Sequence, residues 1–220
     1  MDHQIGTTFF ENFKKAYNDL YNIHPQIKEE DFRLRYLKAD WFFPNHINNV
    51  LLQIREIREN FFKDSNIEIC LYAGLFHDAG LVYKRELSDA TGHENRSVEY
   101  AEIELRKMGY DINFIEKVME CIKATEPDYH SDLLEAQLVR NADAYAHLIS
   151  MHFFAKANFS KDIHSFIIWF ENKLSTTYLK ITIPELKNKI EPLIKSYKEM
   201  IKNYYNNKND DAFFERLFSR

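Results

Sequence analysis

Ile69-Cys-Leu-Tyr-Ala-Gly-Leu-Phe76 runs directly into His77-Asp78. The apolar stretch has no polar face, so it reads as a helix that is apolar nearly all round and belongs at the centre of a fold. An imidazole and a carboxylate then appear where the pattern demands core. Burying a charge without a partner is expensive, and a carboxylate at a helix C-terminus also faces the unfavourable end of the dipole. A divalent metal ion is the simplest group that removes both objections. Ser65 is the expected cap at the start of this helix and Gly80 its expected end.

Working outward, His46 lies upstream and Asp143 downstream, each on its own helical stretch. The ordered set His46, His77, Asp78 and Asp143 offers two nitrogens and two oxygens. Such a mixed set suits Mn, Fe, Zn or Ni better than a structural thiolate site does. Each member has a plainer reading by itself. His46 sits at the edge of an apolar stripe, where histidine is ordinarily a satisfied boundary residue. His77 falls four residues after Ala73 and reads as a core histidine bonded to a backbone carbonyl. Asp143 shares a face with Ala136, Val139 and Ala146, where a carboxylate would pair with Arg140 or a histidine.

The rest of the chain reads as helices. Its 220 residues hold only five Gly and five Pro against 18 Phe and 13 Tyr, a balance that excludes a turn-rich β architecture. Thr7 or Thr8 can cap a first helix, Glu29 to Ala39 reads as a second, and Pro44 opens a third that runs to about Phe62. A polar loop over 81–92 leads to a helix from about His93 to Gly109, and Asp111 caps the next. Ser131 opens a helix that carries Asp143 to about Ser150, followed by helical patterns at about 161–178, 183–206 (capped by Thr182, with Pro184 near its start) and 211–218. The expected fold is all-α: residues 1–220 as one helical domain, with a core at about 40–150 and a C-terminal helical extension at about 151–220.

Composition narrows the function. A net charge of −5 argues against general nucleic-acid binding. Two cysteines, Cys70 and Cys121, sit inside apolar helical patterns and read as reduced core residues. No window approaches a membrane span of roughly 18 apolar residues, and Met1-Asp-His-Gln does not read as a signal peptide. A cytoplasmic protein is the default expectation.

Glu94 continues the stripe Val98, Ala101, Leu105, Met108 back by one turn. In a first helical turn it is either a dipole partner or a general acid or base. His93 precedes it, and Lys84 and Arg85 lie on the loop leading to it, where paired cations are either solvated surface or phosphate ligands.

The segment from about 40 to 150 resembles the HD-domain superfamily of metal-dependent phosphohydrolases. The resemblance rests on Asn45-His46, on Gly74-Leu-Phe-His77-Asp78-Ala-Gly80, on His93-Glu94-Asn-Arg-Ser97, on Cys121 to Thr125 and on Asn141-Ala-Asp143. It implies an HD-like helical bundle with additional N- and C-terminal helices. It also implies a divalent cofactor (Mn, Fe, Mg, Zn, Co or Ni) held by His46, His77, Asp78 and Asp143. Asp78, His93 and Glu94 would then act in catalysis, and Lys84 or Arg85 would bind substrate phosphate. The implied substrate is a small phosphate ester, nucleotide-like; a homo-oligomer is compatible with the sequence. There are departures. Asn141 stands where many members have Asp, and Tyr145 and His147 stand where apolar residues are more frequent. No downstream His-His pair marks a cyclic-dinucleotide phosphodiesterase, and no Glu-Asp doublet marks an alarmone hydrolase. Two other readings remain: a non-catalytic HD-like module binding a ligand or protein, and a di-iron oxygenase on the same scaffold, for which His93, His130 and His147 are available.

Overall fold

The structure is a computed structural model and describes residues 6–23, 45–83, 92–158 and 160–207. Every regular element among them is helical: α1 (Thr7–Ile23), α2 (Ile47–Phe61), α3 (Ile67–Phe76), a single 3-10 turn (Ala79–Leu81), α4 (His93–Lys107), α5 (Ile112–Lys123), α6 (Leu134–Ile149), α7 (His152–Asn158), α8 (Ile163–Lys180) and α9 (Pro184–Asn207). The expected helix at 29–39, Pro44, the loop cations Lys84 and Arg85, and the expected helix at 211–218 lie outside the described residues.

The apolar run is central, as its pattern requires. Helix α3 packs against α1, α2, α4, α5 and α6, and every residue from Ile69 to Leu81 is buried. Gly74 permits the closest approach of α2 to α3: a Cβ there would run into Ile54 and lie 3.4 Å from both Leu51 and Val50. His46 precedes that contact on α2 and His77 follows it on α3, which brings the two rings to 5.4 Å between centroids. Cys70 and Cys121 are free and buried. Among the described residues no helix is long and apolar enough to cross a membrane.

Several local expectations shift. Asn66, not Ser65, caps α3, accepting from the Glu68 N–H at 3.0 Å. Ser65 instead turns back to donate to the Phe62 carbonyl at 2.7 Å. Thr7 already lies inside α1 rather than capping it. Leu133, three residues before the expected Ala136 stripe, occupies the cap position of α6, while Ser131 accepts the Leu133 N–H at 3.2 Å. The short α7 falls between expected helices. Asp111 caps α5 and Pro184 opens α9 as expected. Thr182, the expected cap, lies two residues before α9, with its backbone N–H and hydroxyl both engaged by Asn141.

Candidate metal centre

The four sequence-selected donors come from three helices and converge. His46 stands at a wide turn leading into α2, His77 and Asp78 at the C-terminal end of α3, and Asp143 in the middle of α6. His46 Nε2 lies 3.6 Å from Asp78 Oδ2 and 3.5 Å from Asp143 Oδ1. His77 Nε2 lies 3.4 Å from Asp78 Oδ2 and 3.5 Å from Asp143 Oδ1. Two atoms each about 2.1 Å from one ion stand about 3.0 Å apart at a right angle and about 3.4 Å apart at the tetrahedral angle. The observed separations are those of donors facing a common point, with slack for an ion to draw them in.

Two further observations fit a cation. His77 Nδ1 lies 2.9 Å from the Gly74 carbonyl. A carbonyl only accepts, so Nδ1 carries a proton and Nε2 is left to face the cluster, the outer bond that orients a ligating imidazole. His77 Nε2 and Asp143 Oδ1 are enclosed without a well-formed hydrogen bond. The expectation that His77 is merely a core histidine on a backbone carbonyl is therefore half of its environment. A His/Asp group that could hold a metal is present.

The electrostatics describe what replaces the ion in its absence. Burial disfavours the charged His77 ring, but Asp78 and Asp143 outweigh it and raise the pKa to about 10. Burial would push both carboxyls up, yet each is held well below the usual range, Asp78 by His77 and His93, Asp143 by Lys180 and His147. A proton on His77 thus occupies the electrostatic place of a cation.

Asp143 does not pair with Arg140. That guanidinium donates instead to the carbonyls of Ala124, Pro127 and Tyr129 and closes the turn before α6. The second oxygen of Asp143 accepts from Lys180 Nζ at 2.6 Å, and the same ammonium donates to the Thr125 carbonyl at 2.8 Å. Lys180 is the last residue of α8, and nothing in a lone lysine at a helix end announces this role. Asn141 is explained by the same neighbourhood. Its amide donates to the Gln137 carbonyl at 2.8 Å and to the Thr182 hydroxyl at 2.9 Å, while its oxygen accepts the Thr182 N–H at 2.8 Å. An aspartate could not make the two donations.

On the outer side, His93 Nε2 lies 3.3 Å from Asp78 Oδ1 and His93 Nδ1 lies 3.2 Å from Glu94 Oε2. His93 has the inner place and Glu94 the outer. Gly80 holds them there. Its N–H donates to Ser97 Oγ at 2.8 Å and its carbonyl accepts from Arg96 Nε at 2.9 Å. His147, which the sequence reading offered only to the di-iron alternative, lies with Nε2 3.2 Å from Asp143 Oδ1 and stacks on His46 at 4.2 Å. His46, Asp143 and His147 form a second group able to hold an ion.

An all-α bundle that brings two histidines and two aspartates together defines a protein with a buried His/Asp cluster able to hold a metal ion. Residues 45–148 match the family described as HD domain, and this segment of the chain is an HD domain. No curated protein and no solved structure matches the chain.

Proposed function

We propose that this chain is a metal-dependent phosphohydrolase acting on a phosphate ester of a nucleotide or related small metabolite. The observation that carries the reading is the convergence of His46, His77, Asp78 and Asp143 at 3.4–3.6 Å separations in an HD domain. These four residues hold the ion. A bound divalent ion lowers the pKa of a water molecule and neutralises charge on a phosphoryl oxygen. Asp78 is the most open member, with 13% of its side chain exposed against 3% or less for the others, so the reacting face is on its side. His93 lies at the outer oxygen of Asp78, where it can hold or pass a proton, and Glu94 fixes the ring that does so. Lys84 and Arg85 remain candidates for phosphate contacts from the sequence. The HD segment and the C-terminal helices act as one unit in this reading, since Lys180 and Thr182 complete the surroundings of Asp143 and Asn141.

The test is metal analysis of the purified protein, followed by assay of aryl phosphates and a nucleotide panel with Mn, Mg, Co and Ni. Metal-dependent release of phosphate or of a nucleoside product supports the reading. Metal-loaded protein inert across the panel transfers weight to a ligand-binding HD module. The positions of His93 against Asp78 and of His147 against Asp143 favour a second reading, a dinuclear centre such as a di-iron oxygenase uses. Two iron atoms per chain with oxygen consumption would select it.

A further inference from the structure

Three imidazoles, not two, surround Asp143. His46 Nε2 and His77 Nε2 each lie 3.5 Å from its Oδ1, and His147 Nε2 lies closer, at 3.2 Å. Asp143 and His147 stand four residues apart on α6, the spacing that puts two side chains on one face. Helix α6 packs on α2, and the His147 ring lies on that of His46 with centroids 4.2 Å and planes 18° apart. The stacked pair thus presents two Nε2 atoms to one carboxylate oxygen.

The plainest role for His147 is a hydrogen-bond donor to Asp143 from one turn along the same helix. The geometry is against it. Asp143 Oδ1 accepts no well-formed hydrogen bond, although all three nitrogens are near it. None of the rings aims its Nε2 at the oxygen itself. His147 Nδ1 is enclosed without a hydrogen bond as well. A buried ring in this position is costly, and a nitrogen lone pair 3.2 Å from a carboxylate oxygen repels it. A cation bonded to both atoms removes the two costs together. Ligand atoms about 2.1 Å from one ion stand about 3.0 Å apart at a right angle, close to the separation His147 already shows.

We propose that His147 is a fifth protein ligand of the ion held by His46, His77, Asp78 and Asp143, and that the third imidazole biases the centre toward Fe(II), Co(II) or Ni(II) and away from Mg(II). The inference rests on the metal centre of the phosphohydrolase reading, not on its reaction. Imidazole suits Fe, Co and Ni, whereas carboxylate and water suit Mg and Mn. Three nitrogens and two oxygens also exceed the four donors of a tetrahedral zinc site. The donors disfavour a separate ion at His147. Among the described residues it joins a group able to hold an ion only with His46 and Asp143, both already ligands. Asp143 has no second oxygen to give, since Oδ2 accepts from Lys180 at 2.6 Å.

The test uses the metal-stripped full chain with Co(II) as the probe, followed by proton NMR. Each imidazole bound through Nε2 shows one strongly shifted Nδ1 proton. His77 Nδ1 is bonded to the Gly74 carbonyl and those of His46 and His147 are enclosed, so these protons exchange slowly with solvent. Wild type should bind one Co(II) per chain and show three such resonances. H147L should show two and bind Co(II) at least about 10–100-fold more weakly, the loss that removing even an outer partner of a ligand causes. Its Mg(II) affinity should change less, so the preference for Co(II) falls. H152L removes the neighbouring buried ring and should keep three resonances and wild-type affinity. Two resonances in wild type overturn the proposal, whether or not H147L folds, and leave the phosphohydrolase reading intact. Three resonances in H147L overturn it too, as does an H152L protein that loses as much Co(II) affinity as H147L, since packing then explains both. Two Co(II) ions per chain overturn it in favour of a dinuclear centre. Wild type that binds no Co(II) removes the metal centre and the phosphohydrolase reading with it. Three resonances in a protein that hydrolyses no ester leave His147 a ligand and remove the reaction alone.

Discussion

Glu94 and Asn141 show how single residues divide the labour around the cluster. Glu94 Oε2 lies 3.2 Å from His93 Nδ1, and the other ring nitrogen faces Asp78. Glu94→Gln keeps the shape and removes the charge that steadies the ring. Turnover should drop about a hundredfold, within the range for general acid–base groups, while metal content stays near wild type. Full activity in Glu94→Gln would reduce Glu94 to a helix-start carboxylate, and loss of metal would make it a ligand. Asn141 is the opposite case, a buried amide whose donors and acceptor are all satisfied by Gln137 and Thr182. Asn141→Asp would aim a carboxylate at the Gln137 carbonyl. It should cost about 1–3 kcal/mol or more in denaturant unfolding, although aspartate is what many family members carry there.

At the scale of elements, the site depends on how the turn after α3 is fastened to the first turns of α4. Gly80 supplies both bonds of that fastening, to Ser97 and to Arg96. A Cβ at Gly80 would strike the His93 carbonyl and come within 2.7 Å of the Ser97 N–H. Both obstacles are backbone and cannot rotate away. Gly80→Ala should therefore destabilise the fold by about 1–3 kcal/mol and move His93 off Asp78, so that activity falls further than stability explains. Urea unfolding and turnover measured on one preparation separate the two effects. A Gly80→Ala protein with wild-type stability and rate would show that α4 docks independently of this turn. Ser97→Ala, which removes one bond without a clash, should cost only about 1 kcal/mol.

For the whole molecule, a metal ion held by the four donors would compete with a proton for the same place. In the folded, metal-free protein the two carboxylates raise the His77 pKa from an ordinary 6.5 to about 10. Protonation of His77 contributes stability that is present in full below the ordinary value and is lost as pH rises through the folded one. Metal-free protein should therefore lose stability between about pH 6.5 and pH 10, relative to His77→Gln, as the two carboxylates lose their cation. A divalent ion restores it without a proton. The rise in melting temperature on adding Mn should accordingly be small at about pH 6 and larger at about pH 9. A metal-induced rise independent of pH would mean that His77 is not displaced by the ion.

Hydrophobic period and residue type were sufficient for the all-α class and for the central place of Ile69–Phe76, and they singled out His46, His77, Asp78 and Asp143, which the fold brings together. Each of these is written locally: an unbroken apolar run has nowhere to go but the interior, and a charged group at its end needs a partner. The partners themselves were not legible. Lys180 meets Asp143 from 37 residues away, and Thr182 meets Asn141 from 41. The order Asp78, His93, Glu94 depends on Gly80 docking against α4. The placement of His147 against Asp143 depends on one helical turn, but its stacking on His46 depends on how α6 crosses α2. Local periodicity says which face of a helix is buried; it carries no information about the axial register at which two buried faces meet. That register is set by the packing of side chains such as those around Gly74, and it alone decides which lysine clamps the aspartate.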